Sequence, residues 1–232
     1  MLGKILFHVA KSPFMGMAVG FAFRYFSWAI PVRKVYRSKE IIAFVHPNPC
    51  YANHSILSPK RAVRNLLHMA SGDLSKYFLA IWQAAQAIGT TQTEYREGFT
   101  LVANGGRKQE VQQVHFHMFS GCRMVEACVA EQSEENIVLQ DQHLVIVNKP
   151  ESDWELHFVA GPAAPLLNRE NEKAKADYFS KLLKGIGYLE DRYGIVAKGY
   201  SLVYQCHMNE EQTEFPVFHV IAGKRRIAHP KE

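Results

Sequence analysis

The feature that most constrains this chain is one order of segments that occurs twice, about 100 residues apart. The early copy holds a strand pair at Val35-Tyr36 and residues 41–45, a proline-rich loop at 47–49, and a strand from Asn53 to Pro59. A helix carrying Tyr77-Phe78, a strand at 99–103 and an alternating strand at 113–119 follow. The later copy runs through residues 139–147, 156–162, Tyr178-Phe179, 199–203 and 215–223. A steady offset of this length reads as an internal duplication rather than a solenoid. Two diverged copies of one unit are expected to pack as a homodimer would, tied into one chain. The boundary is expected in the acidic, polar stretch 131–136.

Within the first copy, residues 61–69 read as helical, and Asp73 is expected to cap a second helix. Its buried stripe would be Phe78, Ile81, Trp82, Ala85 and Ile88. In the alternating strand, period two puts Gln113, His115 and His117 on one face and Val114, Phe116 and Met118 in a core. Same-face neighbours on a strand stand about 7 Å apart. That spacing suits a nucleophile with a proton donor, two metal ligands, or simply two solvated imidazoles.

Composition narrows the classes. A net charge of +5 and a pI near 9.0 favour anionic partners such as phosphates. No long Lys/Arg run announces a nucleic acid. Cys50, Cys122, Cys128 and Cys206 form no C-x-x-C pair, which argues for reduced thiols in a cytoplasmic protein. Phe14 and Trp28 bound an apolar run, residues 14–28. It is expected as a helix packed on the body, with contact to a membrane as the alternative.

Residues 30–121 resemble the histidine-triad (HIT) family. The resemblance is carried by Ile30-Pro31, Lys34-Val35-Tyr36, Ala43-Phe44, Pro47-Asn48-Pro49, His54 to Lys60, Asn104-Gly105, Gln109 and the histidine strand. The duplication resembles the tandem arrangement of the galactose-1-phosphate uridylyltransferase branch. The resemblance implies an α+β fold of two HIT-like modules, each an antiparallel sheet of about five strands with flanking helices. They would form an intrachain pseudo-dimer, monomeric with a pseudo-twofold axis. The division is an N-terminal apolar helix (1–29), a module with the histidine motif (30–130) and a degenerate module (131–232).

The resemblance also implies the chemistry: His115 attacks the α-phosphorus of a nucleotide, and water or another acceptor resolves the nucleotidyl-histidine. His117 would bind the phosphate or protonate the leaving group, His54 would brace the cluster, and Asn104 and Gln109 would hold phosphate and leaving group. No metal or other cofactor is implied. Three positions depart from the pattern. Gln113 stands at the first triad histidine, His46 at the acidic residue that usually holds the ribose, and Glu110 at a serine that often touches phosphate. The second copy has Phe215 and Val217 in the motif and keeps only His157 and His219.

The expectation is a nucleotide hydrolase or nucleotidyl transferase acting on a nucleotide or another small phosphorylated molecule, with His46 and Gln113 among its substrate-binding residues. The alternatives are a non-catalytic nucleotide-binding or scaffold protein and a metal site formed by His54, His115 and His117.

Overall fold

The computed structural model describes residues 32–121, 136–163, 172–206 and 216–226. The expected N-terminal helix and nearly all of the expected boundary at 131–136 lie outside the described residues. Among the described residues no helix is long and apolar enough to cross a membrane.

Among the described residues ten strands form one antiparallel sheet: β1 (Lys34–Arg37), β2 (Ile41–Val45), β3 (Ser55–Pro59), β4 (Phe99–Gly105), β5 (Phe116–Ser120), β6 (Ile137–Gln140), β7 (Val145–Asn148), β8 (Trp154–Gly161), β9 (Tyr200–Cys206) and β10 (Phe218–Arg225). Their spatial order is β1-β2-β3-β5-β4-β9-β10-β8-β7-β6. The inward order β1-β2-β3-β5-β4 from one edge is matched by β6-β7-β8-β10-β9 from the other. The two runs meet in the β4–β9 ladder, which extends from Phe99↔Cys206 to Gly105↔Tyr200 and is centred on Val102↔Val203. Local chemistry starts the sheet: the Ser38 hydroxyl accepts from the Glu40 and Ile41 amides and turns β1 into β2.

The helices α1 (Leu66–Met69), α2 (Lys76–Thr91), α3 (Glu172–Tyr193) and α4 (Ile195–Lys198) complete the α+β fold. Alternation along each strand sorts the side chains. Ile41, Ala43, Leu57, Leu101, Phe116 and Met118 join the core formed with the buried stripes of α2 and α3. At its centre Phe78 of α2 lies 4.9 Å from Phe179 of α3 and 5.4 Å from both Phe116 and Phe218. Burial of so much aromatic surface, at about 25 cal/mol per Å² of apolar area, ties the helices to the middle of the sheet on both sides of the β4–β9 ladder. The opposite face carries Ile42, Phe44 and Ile56, then Val102, Phe119, Val203 and Ile221.

Three local expectations are corrected. Only Leu66–Met69 of the stretch 61–69 is helical. The preceding residues are held extended, because the Val63 amide donates to the Gln113 side chain and its carbonyl accepts from Val114 N. The helix begins instead where Asn65 Oδ1 accepts from His68 N at 2.7 Å. Asp73 lies inside a 3-10 turn, Gly72–Ser75, that precedes α2 rather than capping it. The ladder of β5 starts at Phe116, so Gln113 stands before the strand and its side chain turns into the protein.

Gly106 marks a close approach between the turn after β4 and α4. Its φ of +59° is left-handed, and a Cβ placed there would stand 2.2 Å from the Val196 carbonyl oxygen in α4. Gly106→Ala is expected to lower the unfolding free energy by about 2–4 kcal/mol, from backbone strain plus overpacking. Denaturant titration checks this, and an unchanged midpoint would contradict the close approach.

Candidate active site

A cleft of about 370 Å³ opens on the face of the sheet opposite α2 and α3, where β2, β3, β5, β4 and β9 lie side by side. His46, at the end of β2, and His54, just before β3, are joined by a turn that returns the chain, closed by His46 N donating to the His54 carbonyl at 2.8 Å. Asn53 takes a left-handed φ of 52° in that turn, and Tyr95 fixes it by donating its hydroxyl to the Asn53 carbonyl at 2.5 Å. Asn48 N donates to His46 Nδ1 at 3.0 Å, and Cys50 N to His54 Nδ1 at 3.3 Å.

These backbone donors fix the protons of the cluster. An imidazole that accepts at Nδ1 and is neutral carries its proton on Nε2. His54 Nε2 therefore donates to His117 Nδ1, 2.9 Å away, which leaves the His117 proton on Nε2. His115 is set the other way. Its Nδ1 lies 2.8 Å from the Gln113 carbonyl oxygen, an acceptor only, so Nδ1–H donates and Nε2 keeps a free lone pair. The His115 and His117 rings stand edge to face with centroids 5.0 Å apart. One neighbour thus offers a lone pair and the other an N–H.

Electrostatics keep the cluster neutral. Burial, with repulsion from His46 and His115, lowers His54 to about 4. Burial and the three surrounding imidazoles lower His117 to about 2. Burial also pushes His115 down, opposed by its bond to the Gln113 carbonyl and by the Glu110 carboxylate.

Five expected residues line the cleft together: His46, His54, Asn104, His115 and His117. Asn104 Oδ1 accepts from Ser201 Oγ at 2.8 Å, so its NH2 is the end left for a ligand. Gln109 and Gln113 are placed elsewhere. Gln109 Nε2 donates to the Arg64 and Val111 carbonyls. The 1% exposed Gln113 accepts from Val63 N at 3.1 Å and donates to the Pro59 and Arg61 carbonyls. A buried amide that satisfies three backbone groups is a clamp on the chain before β5, and the peptide that holds His115 moves with it. Tyr51, Lys108, Phe119 and Ser201 also line the cleft. Lys108 lies inside the stretch between Asn104 and Gln109 but carries no pattern of its own. Ser201 faces Asn104 across the β4–β9 ladder, which no spacing in the sequence encodes.

His46, His54 and His117 offer nitrogens within 4.8 Å of one another, a different trio from the metal set considered above. Their hydrogen bonds oppose a shared ion. A metal on Nε2 of His46 or His54 would force the ring proton onto Nδ1, where it would face the Asn48 or Cys50 N–H. Metal-bound histidines ordinarily present that N–H to an acceptor.

The described residues of the second half hold a similar histidine pair. His157 Nε2 lies 3.0 Å from His219 Nδ1, and burial lowers each to about 4. The sign of the pH effect follows. Unfolded imidazoles bind protons near the ordinary value of 6.5 while the buried ones do not, so stability is full above about pH 6.5 and falls as the pH drops from there through about 4. His157→Gln should make that decline shallower. Urea unfolding between pH 7 and 4 measures it, and an identical pH slope in the variant would contradict a buried neutral pair.

Residues 28–124 match the HIT domain. HitA of Neisseria gonorrhoeae is 33% identical over 94 residues, which cover 38% of this chain and 83% of HitA. Two solved structures share the fold across most of the chain. A GalT-like protein from Arabidopsis thaliana, 10% identical, covers 90% of this chain and 83% of its own with a TM-score of 0.56. An ADP-glucose phosphorylase from the same plant, 9% identical and solved with bound ADP-glucose, covers 87% and 79% with a TM-score of 0.55. The motif, the histidine cluster it builds and the span shared with HitA make this chain a member of the HIT family.

Proposed function

We propose that this protein is a nucleotide hydrolase or nucleotidyl transferase that works through a nucleotidyl-histidine on His115. The observation that carries the reading is the bond from His115 Nδ1–H to the Gln113 carbonyl, which holds the ring still and aims its Nε2 lone pair at the cleft. In the first step Nε2 forms a bond to the α-phosphorus, and the bond to the leaving group breaks with its electron pair. The positive charge that develops on the ring is met by the Gln113 carbonyl. His117 Nε2–H and the Asn104 amide donate to phosphate oxygens, a fixed set of dipoles that needs no reorganisation. In the second step the oxygen of water or of another acceptor displaces His115 and restores the neutral ring.

We also infer that residues 30–130 and 131–232 are two copies of one module with a single active site between them. The matching strand order from either edge and the two matching histidine pairs support this. Val217 at the nucleophile position leaves the second copy without an attacking group. The ligand class is a nucleotide or a related phosphorylated small molecule, and the ADP-glucose held by the plant phosphorylase makes sugar nucleotides natural probes. Glu110 on the cleft favours a second reading, a binding protein without turnover, because its carboxylate opposes a phosphate.

His115→Asn is expected to lower turnover by about 10³-fold or more while ligand affinity stays within a few-fold. His117→Ala should cost less, about 10²-fold, from the loss of one donor to the phosphate. Nucleotide turnover by steady-state kinetics, binding by calorimetry, and acid quench of radiolabelled protein check these outcomes. Full activity in His115→Asn, or label on another residue, would refute the mechanism. Tight binding without turnover by the native protein would establish the second reading.

A further inference from the structure

The C-terminal half touches the side chains that line the cleft at two points. One is Ser201, which fixes the Asn104 amide. The other is Trp154 of β8, whose ring centroid lies 5.2 Å from Lys108 Nζ. Lys108 ends the 3-10 turn that follows β4, and its stem runs against Gly199, where an added Cβ would stand 3.0 Å from Lys108 Cγ. Stem and head are thus both positioned by the second half, and the side chain lines the cleft with His115 and His117. Among the described residues no carboxylate forms an ion pair with Lys108. A half-buried ammonium held against an indole face keeps its charge for a ligand.

The histidine cluster explains why such a charge is needed. His117 presents an N–H from a neutral ring, which donates a hydrogen bond but does not readily surrender the proton. An amine or alkoxide leaving group needs that proton, whereas a phosphate leaves as a stable anion and needs a cation beside it. We propose that Lys108, positioned by Trp154, is a specificity-determining residue that receives an anionic, phosphate-terminated leaving group. This rests on the reading of His115 as nucleophile. As its Nε2–phosphorus bond forms, the bond from the α-phosphorus to the bridging oxygen breaks. The electron pair stays on the departing phosphate, no proton is transferred, and the charge is met by Lys108 and the His117 N–H.

The test compares kcat/KM for two probe classes with the same nucleosides: ADP-glucose and UDP-glucose against the 5′-phosphoramidates of adenosine and uridine. The native protein is expected to favour the diphosphates. Lys108→Met should cut that preference by about tenfold or more, the scale of one lost charge-assisted hydrogen bond. Lys108→Arg should restore most of it. Trp154→Leu should shift the preference in the same direction as Lys108→Met, and Trp154→Phe, which keeps an aromatic face, should not. Equal losses on both classes, or a native preference for phosphoramidates, would overturn the proposal while His115 remained the nucleophile. Should neither class turn over, the nucleophile reading fails, and calorimetry decides the Lys108 assignment separately. ADP should then bind more tightly than AMP, with the difference lost in Lys108→Met, and equal affinities would overturn it.

Discussion

The β4–β9 ladder is the interaction on which the remaining architecture rests. Separated, each strand would present an edge of unpaired N–H and C=O groups. Paired from Phe99↔Cys206 to Gly105↔Tyr200, they make one sheet of ten strands and bring Phe78, Phe116, Phe179 and Phe218 into one cluster. The same register sets Asn104 opposite Ser201 and so determines which end of the Asn104 amide a ligand meets. The close fit of Gly106 to Val196 continues the seam past the end of the sheet and delivers Lys108 to Trp154. Packing between the halves and the chemistry of the cleft therefore share a cause.

A second constraint is the cost of keeping imidazoles away from water. A buried ring stays neutral, and a neutral ring must find one donor and one acceptor. The loop after β2 meets this need with backbone N–H groups, and the Gln113 carbonyl meets it for His115 in the opposite sense. The result is a directional chain in which His54 sets His117 while His115 stays independent. The His157–His219 pair repeats the arrangement, with His157 Nδ1 lying 2.7 Å from Ser152 Oγ in place of a backbone donor.

How much was legible in the sequence follows from what each signal encodes. Period two located β5 and buried Phe116 and Met118, because a half-buried strand imposes it. Strands expected near residues 35–45, 53–59, 99–103, 139–147, 156–162 and 199–203 fall within one or a few residues of those observed. Alternation misplaced Gln113, since it assumes a strand that continues to the amino-terminal side of Phe116, and only the structure reveals that the Gln113 amide clamps residues 59–63. Gln109, expected at the ligand from the resemblance, donates to the Arg64 and Val111 carbonyls instead, and a polar loop residue looks alike in sequence whether it serves a ligand or a carbonyl. Residues 61–65 resembled a helix in composition, yet bonds to residues 113 and 114 hold them extended. Ser201 and Trp154 were invisible, because their importance lies in pairings across the seam that local patterns do not contain.

The proposed chemistry depends on where the protons sit in the histidine cluster, and nitrogen-15 NMR of the imidazole side chains at pH 7 reads this directly. The predicted result is a proton on Nδ1 of His115, protons on Nε2 of His54 and His117, and no imidazolium among the three. A proton on Nε2 of His115, or a charged His117, would remove the lone pair or the neutral donor on which the mechanism depends and would contradict the account.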